Sequence, residues 1–426
     1  MKQAIKKALV RKLSKRVKRL FAANELVVVA VTGTVGKTST KLAIAKVLES
    51  AGRKVGYSED SYNSDVGLPL SVFGLKVPDR LLSVSGWRRI LRQMDSMIDD
   101  FPYDVIVQEV AEDDLDLMLP FVKLIKPKIG VVTGLSLAHT ARMQDIAKIK
   151  ADLAALTAPM GELICNADFS DLTDDAFQVH VTYSTQGMKA DVELVGAKRA
   201  KSGLLEAEIK MYGEKSRFKT QFVGRHSLSA LLAAVAVAHE LGVDSQQIKQ
   251  ALVAVPAVKG RMNLLPAVHG ARLIDDSYNA ASPIGVFAAL ETLKEMSGKK
   301  IAVLGNMNEL GAKSEAAHKE VGEFAAGIAD MLIVIGPDAE KYLAPAAIEA
   351  GMEKSNVKVF RTPYEAGHFL KKKVSQGDVV LVKGSQNNVF SEEVSRILLD
   401  KSLKPEDVLV RQSAFWRRKK RKAFAQ

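Results

Sequence analysis

Leu26–Val31 is an unbroken apolar run rich in valine, and it stops at Thr32-Gly33-Thr34-Val35-Gly36-Lys37-Thr38-Ser39. A β-branched run of this length reads as a buried strand, and residues 38–51 behind it read as a helix ending near Gly52. Strand, tight glycine turn and helix start together point backbone N–H groups at one spot, which is how a chain cradles a phosphate. Gly33, Thr34, Val35, Gly36, Lys37, Thr38 and Ser39 are the expected nucleotide contacts. Lys37 is expected to reach the β- and γ-phosphates, and the Thr38 hydroxyl to ligate Mg²⁺. The general form of such a loop has a glycine five residues before Gly36; here that position is Val31.

Two further residues fall at strand ends. Glu109 follows the run Val105–Gln108, and His139 lies just past Ile129–Thr133. Parallel strands deliver such residues to their carboxyl edge, beside the phosphate loop. A carboxylate and an imidazole there, with Thr38, could hold a divalent cation. Asp275-Asp276-Ser277-Tyr278-Asn279 follows another apolar strand. These residues suit a nucleotide-facing edge and serve equally well as turn and helix-cap chemistry. Arg261 is a candidate γ-phosphate contact. Lys148-Ile149-Lys150 is, on composition, a charged helix face.

Strands and helices alternate along the chain, which predicts an α/β protein with a mostly parallel sheet. The expected organisation is a basic amphipathic helix (1–23), a central P-loop ATPase domain (24–260), a C-terminal Rossmann-like α/β domain (261–405) and a basic tail (406–426). Within the central domain, Val192–Val195 and Glu206–Met211 alternate as antiparallel strands do. The second domain's strands are expected at Ala271–Asp275, Lys300–Leu304, Met331–Ile335, Lys358–Phe360 and Val379–Val382.

The net charge of +12 would fit a nucleic-acid binder, but its distribution argues otherwise. Residues 1–23 carry nine Lys/Arg and residues 411–426 carry seven, with no acid in either segment. Without these sixteen, 45 of the 61 basic residues remain against 49 acidic ones. The body is therefore mildly acidic, and no nucleic-acid partner is expected. Ile5, Leu9, Leu13, Val17 and Leu20 recur at helical spacing between the N-terminal cations. Such a helix either packs on the body or, with the basic tail, touches anionic lipid. The single Cys165, and the absence of an apolar run of about 18 residues, point to a cytoplasmic protein, with peripheral membrane contact as an option.

Taken in order, these motifs resemble the Mur ligase family, most closely its D-alanyl-D-alanine-adding branch, over roughly residues 26–400. Thr32–Thr40 resembles the family's phosphate loop, and Asn63–Pro69 its following Asn-rich segment. Gln108-Glu109-Val110 and Ala138-His139-Thr140 resemble its magnesium motifs. Lys148-Ile149-Lys150 resembles the segment that bears a carbamylated lysine, here Lys150. Asn166-Ala167-Asp168 and Gly224-Arg225-His226 resemble the adenine-side motifs. Gly260-Arg261, Asp275–Ala280, Leu304–Gly311 with His318, and Lys383-Gly384-Ser385 follow the C-terminal half.

The resemblance implies an ATP-dependent ligase. An acceptor carboxylate takes the γ-phosphoryl group to form an acyl phosphate, and an amine then displaces phosphate. It implies Lys37, His139, Lys150 and Arg261 in catalysis. It implies Asn166, His226, Arg261 and Asp276 around the nucleotide. Two Mg²⁺ are implied on Thr38, Glu109, His139 and carbamylated Lys150, and small-molecule or peptide substrates. Members of that branch carry a uridine-nucleotide-gripping domain ahead of the loop; the loop here starts at residue 33, so that grip is expected to be absent. Two alternatives stay open: a folylpolyglutamate-type ligase of the same architecture, and a non-catalytic nucleotide-binding module with basic docking ends.

Overall fold

A computed structural model describes residues 3–424 other than 60, 61, 63, 79–82, 113, 136–145, 281, 309 and 387. His139 therefore lies outside the described residues. Among the described residues there are two sheets. The first has nine strands: β1 (Val27–Thr32), β2 (Val55–Tyr57), β3 (Val105–Glu109), β4 (Ile129–Val132), β5 (Glu162–Asn166), β6 (Val179–Ser184), β7 (Val192–Arg199), β8 (Leu205–Met211) and β9 (Glu214–Lys219). Their order is β2-β3-β1-β4-β5-β6-β7-β8-β9. Pairing is parallel from β2 through β7, then antiparallel through β8 and β9.

β1 is central because both of its faces are buried. Val28 to Val31 lie at 1% exposure or less, as a strand covered on both sides requires. Helices Lys37–Ser50 and Leu228–Glu240 cover one face, where Ala230 to Ala238 are all buried. The register pairs Val31 with Glu109 and Thr32 with Val132. The carboxyl ends of β3, β1 and β4 are thus level, and the chain reverses direction across the sheet at β1. That is the position where open α/β sheets bind ligands.

The other face explains the N-terminal helix. Gln3–Ala23 buries Leu9, Leu13, Val17 and Leu20 in one core with Trp87, Ile90 and Met94 of helix Val84–Ile98. Each such side chain contributes about 1.5–3 kcal/mol on burial. Arg16 and Arg19 pair with Asp95 at 2.5 and 2.9 Å, and the Asn24 amide donates to the Ile98 carbonyl. The apolar stripe expected as an option for lipid is therefore committed to the protein core. No helix among the described residues is long and apolar enough to cross a membrane.

The second sheet contains β10 (Asn263–Pro266), β11 (Arg272–Asp276), β12 (Lys300–Gly305), β13 (Met331–Ile335), β14 (Val357–Phe360) and β15 (Val379–Lys383). Its order is β10-β11-β15-β12-β13-β14, parallel except for the β10–β11 edge pair. Register pairs Asp276 with Lys383, so both end at the same edge.

The C-terminal segment departs from a solvated basic tail. Helix Ala414–Ala423 is capped by Ser413 and packs its Lys420 fully inside the protein. Lys420 Nζ lies 2.8 Å from Glu392 Oε1 and 2.7 Å from Glu393 Oε1. Arg411 adds a 2.9 Å pair to Glu392. Two of the segment's cations, Arg411 and Lys420, thus neutralise buried acids, which local sequence does not display.

Candidate functional site

The phosphate loop needs its glycines. Gly33 has φ +120° and Gly36 has φ +78°, conformations that L side chains rarely adopt. A Cβ on Gly33 would stand 2.6 Å from Thr133 Oγ1 and 2.9 Å from the Gly134 carbonyl oxygen. The loop is pinned to the end of β4 by Thr34 N–H donating to Gly134 O at 3.0 Å, and by the Thr133 hydroxyl donating to Val35 O at 2.5 Å. Val31, where a glycine is usual, is a fully buried strand residue, so the turn begins later and more tightly.

Lys37, at the helix start, folds its ammonium back to the Gly33 carbonyl at 2.5 Å and to Glu112 at 2.9 Å. Ser39 faces the interdomain cleft beside Thr38. The Thr38 hydroxyl donates to Glu109 Oε2 at 3.0 Å. Lys41, one turn on, places Nζ 3.3 Å from the same carboxylate oxygen while only 2% of its side chain is exposed. Burial alone would push the Glu109 pKa up, but Lys41, Lys37, Arg261 and the Thr38 hydrogen bond outweigh it and hold the group ionised below its ordinary range. Lys41 and Glu112 were not anticipated from sequence. Both read as ordinary surface charges, although Glu112 sits only three residues beyond Glu109.

Thr38 and Glu109 supply hard oxygen donors at the phosphate loop, as a Mg²⁺ site requires. No cluster of three or more His, Cys, Asp or Glu suited to a metal occurs among the described residues. Lys150 does not join this cluster. Its ammonium pairs with Asp171 at 3.4 Å and, more closely, with Asp174. Its pKa is raised, first by the Asp174 hydrogen bond.

Asn166, at the end of β5, donates to the Thr133 carbonyl at 3.1 Å and accepts from Asp168 N–H, which ties β5 to the loop's support. His226 precedes helix Leu228–Glu240 and keeps surface open to solvent. Partial burial of the ring lowers its pKa, with Asp276 opposing and Lys383 adding a smaller effect. His226 thus stands within electrostatic reach of two residues on the second sheet.

On that sheet, Asp276 Oδ2 receives Lys383 Nζ at 2.6 Å and its Oδ1 accepts from Met262 N–H. Lys383 also donates to the Asn279 carbonyl. Asp275 is fully buried and accepts from Ser395; desolvation pushes its pKa up to about 6. Arg261 stacks its guanidinium 4.3 Å from the Tyr278 ring, and its charge reaches Glu109 across the gap between the sheets. A cleft of about 1490 Å³ lies between the two halves, with Thr38 and Ser39 on one wall and Arg261 and Tyr278 on the other. The sheets therefore bring Lys37, Thr38, Glu109 and Arg261 together, with Asp276, Lys383 and His226 forming a second group.

The Mur ligase middle domain matches residues 31–238, and the Mur ligase glutamate ligase domain matches residues 260–386. The chain is 28% identical to the UDP-N-acetylmuramoyl-tripeptide--D-alanyl-D-alanine ligase of Escherichia coli (strain K12), covering 87% of this chain and 76% of that protein. It is 27% identical to the enzyme of the same name from Bacillus subtilis (strain 168), over 87% of this chain and 76% of that one. Its fold superposes on the MurF ligase from Thermotoga maritima in complex with ADP with a TM-score of 0.73, at 23% identity, over 91% of this chain and 84% of that one. The two-sheet α/β fold, the phosphate loop and the cleft agree with these matches: the chain belongs to the Mur ligase family of ATP-dependent ligases that form carbon–nitrogen bonds.

Proposed function

We propose that this chain joins D-alanyl-D-alanine to a muramyl tripeptide in the synthesis of a cell-wall precursor, at the cost of one ATP. The observation that carries it is the meeting of Thr38, Glu109 and Lys37 from one sheet with Arg261 from the other across a single cleft. The reaction brings two anions, a carboxylate and a triphosphate, into contact, so its first need is fixed positive charge. Lys37 exchanges Glu112 for the more highly charged phosphates, and Arg261 approaches the γ-phosphate from the opposite wall.

The acceptor carboxylate oxygen attacks the γ-phosphorus, the bond to the β-phosphate oxygen breaks, and ADP leaves. The neutral amine of D-alanyl-D-alanine then attacks the acyl carbon, the bond from that carbon to the phosphate oxygen breaks, and inorganic phosphate departs carrying the proton lost by the amine. Thr38, Glu109 and His139 would hold Mg²⁺, which neutralises phosphate charge when bound. His226 and Asn166 are assigned to the adenine side, and Asp276 with Lys383 to the opposite wall. Closing of the two walls on bound substrates would exclude water, which would otherwise hydrolyse the acyl phosphate.

Lys150 enters this proposal only as a carbamate. An anionic carbamate would face Asp171 and Asp174, which fit an ammonium instead, so it takes no part in the steps above.

Phosphate release measured with UDP-linked muramyl tripeptide, D-alanyl-D-alanine and ATP tests the reading. Release should require both substrates together. Release with a folate and glutamate instead, or no amine-dependent release with any pair while ATP still binds, would overturn it.

A further inference from the structure

The apolar stripe of helix Gln3–Ala23 is committed to the core, which leaves its cationic face turned away from the protein. Helix Val84–Ile98 lies beside it. Arg16 reaches the Leu91 carbonyl and Asp95, Arg19 reaches Asp95, and Asn24 reaches the Ile98 carbonyl. Later residues of one helix meet later residues of the other, so the two run parallel. Residues three, four or seven apart share a helix face. One turn before Arg19 and Asp95 stand Lys15 and Arg92, and two turns before stand Arg11, Lys12 and Arg88.

All five cations are exposed, and none of their side chains has an ion-pair partner among the described residues. Asp95, the one acid within the two helices, is already shared by Arg16 and Arg19. Asp99 and Asp100 follow only at the far end. Like charges on neighbouring helical positions destabilise the helix. The seam is therefore a place where an external anion lowers the energy of the folded protein. Ile5 and Val84 stand at the start of the same seam, 58% and 64% exposed. A cationic face of two parallel helices, with aliphatic side chains at its margin, suits a lipid–water boundary: the charges meet headgroups and the aliphatic groups enter the acyl region. A nucleic acid would use the cations but not the aliphatic groups, and the one ring of helix Val84–Ile98, Trp87, is buried rather than offered for base stacking.

We propose that the outer faces of helices Gln3–Ala23 and Val84–Ile98 dock this protein on an anionic lipid surface, with Arg11, Lys12, Lys15, Arg88 and Arg92 at the headgroups and Ile5 and Val84 at the acyl boundary. The attachment is peripheral and reversible, made by side chains of helices whose apolar faces stay in the protein core. It is independent of the ligase reaction proposed above.

Co-sedimentation of the full chain with vesicles needs neither substrate nor turnover, so its outcome is separate from that of the phosphate-release assay. The protein should pellet with mixed phosphatidylglycerol–phosphatidylcholine vesicles at low salt, be released at high salt, and stay in solution with phosphatidylcholine alone. Lys12→Gln, Lys15→Gln, Arg88→Gln and Arg92→Gln combined should weaken the partition at least about 100-fold, since each basic residue at such a surface contributes ~1 kcal/mol and 1.4 kcal/mol is tenfold. Arg418→Gln, Lys419→Gln, Arg421→Gln and Lys422→Gln combined remove the same charge from the exposed side of the C-terminal helix and should cost no more than about 3-fold, through net charge alone. Ile5→Ser with Val84→Ser leaves the charge unchanged and should weaken the partition at least about 5-fold, equivalent to ~1 kcal/mol of apolar burial. No pelleting with the anionic vesicles, equal losses from the two charge-matched variants, or tighter binding to duplex DNA that the Ile5 and Val84 changes do not alter overturns the proposal.

Discussion

Lys420→Met removes one cation and keeps most of the side-chain volume. Lys420 is fully buried, with two carboxylates within 2.8 Å. Deleting one partner of a buried ion pair typically costs about 3–5 kcal/mol, because the partner charge is left in a medium that solvates it poorly. Here the loss is reduced by surviving pairs, Arg411–Glu392 at 2.9 Å and Arg396–Glu393 at 2.6 Å. A cost of about 2–4 kcal/mol remains. For a unit the size of the C-terminal half this lowers its melting temperature by about 4–16 °C. Differential scanning calorimetry of the full chain would show the later sheet's transition moving while that of the first sheet stays in place. Adding Glu393→Gln to the variant should recover part of the loss, since one uncompensated charge disappears with it. A shift below about 2 °C would refute the buried network and return residues 411–424 to solvent.

Glu109→Gln keeps the shape of the site and removes its carboxylate. Outer-shell partners of a metal cost about 10–100-fold when lost, so a direct ligand should raise the half-saturating Mg²⁺ for phosphate release by at least that; an unchanged Mg²⁺ dependence would remove Glu109 from the metal site. Asp275 is a buried acid whose pKa in the folded protein, about 6, exceeds its ordinary value of 3.8. The folded state therefore binds more protons than the unfolded one between these values, and this group's contribution to stability falls as pH rises from about 4 to 6. Asp275→Asn should flatten that step in urea denaturation and stabilise the protein at pH 8; an unaltered pH profile would show the shift is absent. Leu13→Ala should cost about 2–5 kcal/mol in the unfolding of the first sheet if the N-terminal helix is core, and near zero if it is a surface arm.

The features legible in the sequence are those set by neighbouring residues. The valine run of β1, the two positive-φ glycines and the helix Lys37–Ser50 follow from local sterics and periodicity, and the structure has them within a residue of expectation. The parallel strands of the second sheet, from Arg272 to Lys383, were readable for the same reason. β5 and β6 were not, since ELICN and VHVTYS mix polar with apolar residues and show no continuous apolar run. Lys41 was missed because a lysine in a helix looks solvated until a strand four elements later presents Glu109 beside it.

The sequence by itself determined that a phosphate loop opens the first α/β domain, that acids end the strands beside it, and that positive charge gathers at both ends of the chain. Only the tertiary structure decided what those ends do. An amphipathic stripe such as Leu9, Leu13, Val17 and Leu20 can bury itself in lipid or in protein, and here helix Val84–Ile98 supplies the partner face. The run Arg417–Lys422 reads as a solvated tail, but Glu392 and Glu393, buried some 27 residues earlier, draw Lys420 inside. Burial of a charge depends on the charge that meets it in space, and that meeting is a property of the fold, not of the segment.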